Sequence, residues 1–183
     1  MARLPKATRA VFPEDLAYVW DRLGGDRAPN IYKTMGNNPT LLRGYVRLGN
    51  NLWNHCGLDV ATRELAILRT AILHHSVYEW HQHVRIGHEA GLTFERIRAL
   101  HHWRASDLFS EAERALLAYV DALDASDHPA REVHDDLARH FPASALAGIN
   151  LLIGYYGMTA KFLGAMEVET EEEFVGWEPG EPA

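Results

Sequence analysis

Three ionisable side chains occur at spacings that place them on the inner faces of two consecutive predicted helices. Glu64 lies in a helical stripe that is otherwise apolar, and Glu79 and His83 are four residues apart on the next helix. Residues four apart share one helix face. A carboxyl group and an imidazole placed in this way can exchange a proton with a small molecule near neutral pH. The pattern predicts general acid–base chemistry, with His83, Glu79 and Glu64 as candidate catalytic residues.

Each of these side chains also has a structural explanation. Ser76 and Glu79 fit the S-x-x-E pattern of a capping box, in which the Glu79 carboxylate bonds back to the start of its own helix. A carboxylate buried at position 64 needs a partner, and an ion pair with Arg63 or Arg69 would provide one. An imidazole on an apolar helix face is often a hydrogen-bonded core group. The residues alone leave the catalytic and structural interpretations open.

The elements that must position these residues are predicted to be helices. Asp59 can cap a helix over 60–73, and Ser76 can cap the next, over 77–90. Apolar residues recur at helical spacing in most of the chain, and no segment alternates as a strand would. We therefore expect an N-terminal helical arm (1–38), a helical domain (39–169) and an acidic tail (170–183). Phe174 and Trp177 of that tail are expected to anchor it on a neighbour.

Composition excludes several classes of function. The 183 residues carry a net charge of −7 without clustered Lys or Arg, which argues against nucleic-acid and membrane partners. No apolar run approaches the ~20 residues of a membrane span, and the start lacks the pattern of a signal peptide. Cys56 is the only cysteine, so no intrachain disulfide can form. We expect a cytoplasmic protein.

The histidines raise the possibility of a metal site. There are eleven, but His81 and His83 point to different helix faces, and so do the members of the adjacent pairs 74–75 and 101–102. Only an arrangement between helices, such as His83 and Glu79 with a distant histidine, could bind a metal ion well. No metal is expected.

The segment from Arg63 to Leu92 resembles the core motif of the carboxymuconolactone decarboxylase and alkyl hydroperoxidase D-like (AhpD-like) superfamily. The peroxidase branch has Glu, then eleven residues, then Cys-x-x-Cys-x-x-x-His. Glu64 and His83 match the Glu and His, whereas Ser76 and Glu79 occupy the two cysteine positions. The resemblance implies an all-α helical bundle that assembles as a homo-trimer or homo-hexamer. Peroxide reduction needs the missing thiols, so it implies no thiol peroxidase activity.

The branch without cysteines resembles decarboxylases that act on a carboxylated unsaturated lactone with no metal or organic cofactor. The resemblance implies that His83 is the general acid or oxyanion donor, that Glu79 orients it or exchanges the proton, and that Glu64 supports the relay. Residues expected to contact a small-molecule substrate are Ser76, Tyr78 and Trp80, although Trp80 also suits the core.

Other functions remain open at the level of sequence. The reaction could be an isomerisation or another proton transfer next to a carbonyl. The chain could instead be a peroxidase-like (peroxiredoxin-type) family member without the redox cysteine pair, or a non-catalytic oligomeric protein that binds a ligand.

Overall fold

The computed structural model describes residues 2–171, which form a bundle of α-helices without a β-strand in that range. The all-α prediction is confirmed. Phe174 and Trp177, with the rest of the tail from residue 172, lie outside the described residues. The helices are α1 (Ala17–Arg22), α2 (Asn30–Met35), α3 (Pro39–His55), α4 (Val60–Leu73), α5 (Val77–Glu89), α6 (Phe94–Ala99), α7 (Glu111–Ala125), α8 (Arg131–His140) and α9 (Ala143–Ala165).

Side-chain caps fix where the two helices of the candidate site begin. The Asp59 carboxylate accepts the N–H of Thr62 at 3.0 Å at the start of α4. The Ser76 hydroxyl accepts the N–H of Glu79 at 3.5 Å at the start of α5. Both caps agree with the sequence prediction, and each satisfies an amide that would otherwise lack a partner.

Helix α4 lies at the centre of the bundle. It packs against α5, α7 and α9, and every residue from Arg63 to Ile72 is buried. One apolar cluster fills the space between α4, α5 and the segment from α6 to α7, and a second joins α4 to α3, α7, α8 and α9. Any polar side chain on α4 is therefore held in a low-dielectric interior, where it needs a partner.

The N-terminal arm covers one side of α3. Phe12, Leu16, Val19 and Trp20 pack with Leu42 of α3 in a third apolar cluster. This packing brings α2 against α3 and α5, and α2 thereby supplies part of the wall of the pocket described below. Within the range 2–171, no helix combines the length and apolar character needed to cross a membrane.

Candidate active site

A pocket of about 330 Å³ opens between the arm, α3, α5 and α9. Glu79 and His83 of α5 form part of its wall. Much of the remaining wall is aromatic, from Tyr32, Tyr45, Trp53, Tyr78, Tyr155 and Tyr156. A mostly apolar hollow with a few convergent polar groups is the usual form of a small-molecule site.

Glu79 faces the imidazole and does not complete a capping box. Its Oε2 lies 3.4 Å from Nε2 of His83, one helical turn along α5. The backbone N–H of Ser76, which a capping box would require, donates to the carbonyl of Ala71 at 2.8 Å instead. Ser76 caps the helix, as predicted, but the Glu79 carboxylate is directed at His83 and the pocket.

Glu64 lies behind His83 and is fully buried, with an exposure of 0%. Its Oε2 is 2.6 Å from Nδ1 of His83. Its Oε1 accepts hydrogen bonds from Nε and Nη2 of Arg63 at 3.1 and 3.0 Å. Arg63 is thus the ion-pair partner of Glu64, while Arg69 pairs with Asp121 at 2.6 Å. The structural and catalytic interpretations of Glu64 are compatible, because the same carboxylate also holds the imidazole.

Arg63 is fixed by Trp53 at the end of α3. Its Nη1 donates to the carbonyl of Trp53 at 2.7 Å, and its guanidinium lies 3.6 Å from the centre of the indole ring. A stacked guanidinium whose donors are directed at fixed acceptors has little freedom to turn away. Arg63 therefore holds the Glu64 carboxylate in place, and Glu64 in turn fixes the orientation of the His83 ring through Nδ1.

The electrostatic environment keeps His83 protonated. Burial alone would lower its pKa, but the carboxylates of Glu64 and Glu79 outweigh burial and raise the pKa to about 9. At neutral pH both ring nitrogens then carry protons, with Nδ1–H directed at Glu64 and Nε2 at 3.4 Å from Oε2 of Glu79. Together with Arg63, the four charges sum to zero, which is the least costly arrangement for buried ions.

Tyrosines complete the wall around the imidazole. The ring of Tyr156 meets His83 edge-on with 5.0 Å between centroids, and Tyr45 stacks on Tyr155 at 4.7 Å. Burial, with the charge of Glu79, raises the pKa of Tyr45 and of Tyr156. Both phenols are neutral at physiological pH. The Tyr45 hydroxyl donates to Oγ1 of Thr159 at 2.9 Å, because the Thr159 hydroxyl itself donates to the carbonyl of Tyr155.

The rim of the pocket holds a carboxylate of the chain itself. Glu171 accepts from the hydroxyl of Tyr78 and the backbone N–H of Asn30, each at 2.7 Å, and from the side-chain amide of Gln82. The Tyr78 hydroxyl in turn accepts the N–H of Ile31 at 3.2 Å. Tyr78 borders the pocket as predicted, with its hydroxyl engaged at the rim.

Two of the predicted substrate contacts lie elsewhere. Trp80 is 1% exposed and packs in the apolar cluster between α4, α5 and α6, on the side of α5 away from the pocket. Ser76 is buried at the helix start and does not line the pocket. Trp80 is therefore not part of the pocket wall, contrary to expectation. Successive residues of a helix are turned by about 100° around its axis, so Trp80 lies on a different face of α5 from Glu79 and His83.

Most of the aromatic wall is not evident in the sequence, and neither is the contact by which Trp53 holds Arg63. The tyrosine pair at 155–156 stands out in the sequence, but helix packing, a pocket and a subunit interface explain it equally well. Tyr45 shows only the spacing of a helix face. In the described part of the chain, no group of three or more His, Cys, Asp or Glu side chains is placed to hold a metal ion.

The central part of the chain matches a known protein family. Residues 39–122 match the model of the Carboxymuconolactone decarboxylase family, and this segment contains α3, α4 and α5 with Glu64, Glu79 and His83. This match supports placing the chain in the carboxymuconolactone decarboxylase and AhpD-like superfamily. The resemblance seen in the sequence is confirmed.

The proteins that this chain resembles do not share one stated activity. The uncharacterized protein YnjA of Escherichia coli (strain K12) is 33% identical over 78 residues, which is 42% of this chain and 43% of that protein. The chain therefore spans less than half of that relative.

Two solved structures share the fold. An AhpD-core, peroxidase-related protein of Ralstonia eutropha JMP134 has a TM-score of 0.78 and 19% identity, over 100% of this chain and 98% of its own.

The second solved structure is a variant of the debrominase Bmp8 in complex with 2,3,4-tribromopyrrole. It has a TM-score of 0.75 and 23% identity, over 94% of this chain and 95% of its own. At these identities both structures establish the fold alone. The chemistry of this member must be argued from its own residues, above all from Glu79 at a position where the peroxidase motif has cysteine.

Proposed function

We propose that this protein is a cofactor-independent acid–base enzyme that acts on a small carboxylated lactone or a related carbonyl compound, by decarboxylation or isomerisation. The observation that carries the proposal is His83, held between the carboxylates of Glu64 and Glu79 at the wall of a pocket of about 330 Å³. A charged imidazole in a buried site is placed to act on a ligand in that pocket.

The proton transfer would use Nε2 of His83. In a decarboxylation the bond between the substrate and its carboxylate carbon breaks, and the electron pair moves into the conjugated carbonyl. His83 then donates its Nε2 proton to carbon, directly or through Glu79. In an isomerisation the same pair removes a proton at one carbon and returns it at another, so no external reactant is required.

Charge balance explains why the residues behind the imidazole matter. Before the transfer, Arg63, Glu64, His83 and Glu79 sum to zero; after it, they carry one negative charge. The site that has given up its proton therefore readily takes another from water, which resets the enzyme. The Tyr156 hydroxyl is neutral and is the donor best placed to hold a developing oxyanion, whereas the Tyr45 hydroxyl donates to Oγ1 of Thr159 at 2.9 Å.

The test is a screen of carboxylated lactones and keto acids with the wild-type protein, His83→Gln and His83→Ala. We expect turnover by wild type and a loss of kcat/KM of about 100-fold or more in both variants. His128→Ala is the matched control, since His128 is exposed and does not line the pocket. Equal turnover by wild type and His83→Ala would refute the mechanism.

A peroxide assay with a dithiol reductant separates this proposal from redox chemistry. Cys56 is 1% exposed, at the end of α3, and has no second cysteine in the chain. We expect no turnover of peroxide. Peroxide reduction that Cys56→Ser abolishes would overturn the acid–base proposal in favour of a thiol mechanism.

A further inference from the structure

A second groove lies beside the pocket, between the arm and α3, with a volume of about 1070 Å³. Tyr32, Val46 and Asn50 line both the groove and the pocket. The two spaces therefore adjoin along α3, and a ligand whose reactive end lies at His83 can extend into the groove past Asn50.

Among residues 2–171, the groove is lined by three arginines and by no carboxylate. Arg22 comes from α1, and Arg43 and Arg47 come from α3. Between residues 2 and 171, none of these three guanidinium groups forms an ion pair with a carboxylate; Arg22 is over the ring of Tyr18, 5.8 Å from its centre. This concentration of positive charge stands out in a chain whose net charge is −7.

The arrangement costs stability unless an anion binds. Arg43 and Arg47 are four residues apart on one face of α3, where like charges repel and weaken the helix. The remaining wall offers neutral hydrogen-bonding groups, Thr40, Asn50 and Asn51, and a Cβ built at Gly44 would meet nothing within 4 Å. Guanidinium groups bind phosphate and carboxylate groups through paired N–H donors, and neutral donors beside them can add hydrogen bonds.

We propose that this groove binds an anionic group of the ligand, a phosphate or a pair of carboxylates, attached at a distance from the reacting carbon. Arg47 and Arg43 lie three and seven residues from Asn50, which borders both spaces, or about 4.5 and 10 Å along α3. The substrate class is then a small carbonyl compound with an anionic extension. Binding of the anion needs no catalysis, whereas the effect on turnover rests on the proposed function.

Direct binding tests the groove without a substrate. Isothermal titration calorimetry of the full chain would use inorganic pyrophosphate in one arm and tricarballylate in the other, to distinguish phosphate from carboxylate recognition. We expect saturable binding of at least one probe, weakened roughly tenfold or more in R43Q/R47Q and weakened by added salt. The matched control is R85Q/R131Q, which removes two exposed arginines outside the groove and is expected to bind as wild type does.

Equal affinity in R43Q/R47Q and R85Q/R131Q, or no saturable binding by wild type, would overturn the proposal. So would a change of molecular mass in R43Q/R47Q without a change in anion affinity, since the arginines would then serve contact with a second copy. His83→Ala separates this inference from the proposed function: it is expected to bind pyrophosphate or tricarballylate normally even though turnover is lost, because His83 does not line the groove.

Discussion

At the scale of single residues, the site depends on a histidine that keeps its charge although it is buried. An imidazole in an apolar interior normally loses its proton, because the neutral form costs less to remove from water. His83 departs from this because Glu64 lies 2.6 Å from one ring nitrogen and Glu79 lies 3.4 Å from the other. Glu64 is itself fixed by Arg63, whereas His83 and Glu79 both reach the pocket wall. Under the proposed function, the proton that is transferred therefore belongs to the pair of His83 and Glu79.

The raised pKa of His83 predicts how activity and stability depend on pH. With the pKa of His83 at about 9, kcat/KM is expected to be high at neutral pH and to fall as pH rises through about 9. The pKa exceeds the value of about 6.5 for an unfolded histidine. The stability that protonated His83 contributes is therefore complete below about 6.5 and lost as pH rises through about 9.

NMR titration of the His83 ring checks this prediction together with the pH–rate profile. Glu79→Gln removes one of the two carboxylates that raise the pKa of His83, so the titration is expected to move to lower pH while the fold remains. Asp136 is partly exposed and pairs with Arg139 on α8, and Asp136→Asn is expected to leave the His83 titration in place. A His83 titration below pH 6.5 in the wild-type protein would contradict the assignment.

Glu64→Gln is expected to destabilise the protein strongly. The substitution leaves Arg63 buried at 2% exposure without its counter-ion and removes the negative charge that opposes protonated His83. Breaking a buried ion pair from one side costs about 3–5 kcal/mol. Urea denaturation at pH 7 measures the loss, with Asp136→Asn of the exposed pair with Arg139 as the control that changes little. A loss below that of the control would mean that the Glu64 carboxylate is not the counter-ion of Arg63.

The sequence predicts the catalytic candidates better than the side chains that surround them. Glu64, Glu79 and His83 are predictable because a carboxylate in an apolar stripe and an i, i+4 pair are local patterns. The sequence does not show whether Glu79 completes a capping box or faces His83. That outcome depends on the hydrogen bond from the Ser76 N–H to the carbonyl of Ala71. The direction of Trp80 likewise depends on α6 and the segment after it, which fill the other side of α5.

At the scale of elements, the pocket exists because α9 crosses the end of α3 at very short range. A Cβ built on Gly148 would overlap the carbonyl oxygen of Cys56 and lie 2.7 Å from its Cα. These are backbone atoms, which cannot swing aside as a flexible side chain can. Tyr155 and Tyr156, two turns further along α9, are placed in the pocket wall by this close approach.

Gly148→Ala is therefore expected to destabilise the protein by about 1–3 kcal/mol or more, as overpacking does. Gly154→Ala in the same helix is the matched control, because a Cβ there meets nothing within 4 Å. The control is expected to gain about 0.5–1 kcal/mol from the better helix propensity of Ala. Chemical denaturation of the two variants gives the difference, and similar changes of one sign in both would show that α9 does not lie tightly on α3.

Helix starts are predictable at this scale, whereas the packing of the arm is not. Asp59 and Ser76 signal their helices within four residues of sequence. That Ile31 and Tyr32 of α2 form part of the pocket wall depends on an apolar cluster between the arm and Leu42. The sequence of residues 1–38 predicts a separate arm, because no local pattern shows which helix the arm will cover.

At the scale of the whole molecule, one face of the bundle exposes several large apolar side chains. Leu41, Leu48 and Met158 are 68%, 43% and 51% exposed. They border an apolar groove of about 570 Å³ between α3 and α9, and Leu4, Met35 and Phe162 also line it. Exposed apolar surface of this extent commonly marks a contact between proteins. We propose a second copy of the chain as the partner, and the trimer or hexamer implied by the resemblance stays a prediction.

Light scattering coupled to size exclusion tests this expectation. The wild-type protein is expected to have a mass three or six times that of the chain of 20.7 kDa. The L41E/M158E variant places two charges in the apolar groove, where their desolvation opposes association, and is expected to shift toward monomer. Leu108→Glu is the control, since Leu108 is 38% exposed but lies outside the groove. A monomeric wild type would refute the assembly, and an unchanged mass in L41E/M158E would place the interface on another face. Because α3 borders this groove, the arginine groove and the pocket, a variant that dissociates without losing pyrophosphate binding would show that the anion site is complete within one chain.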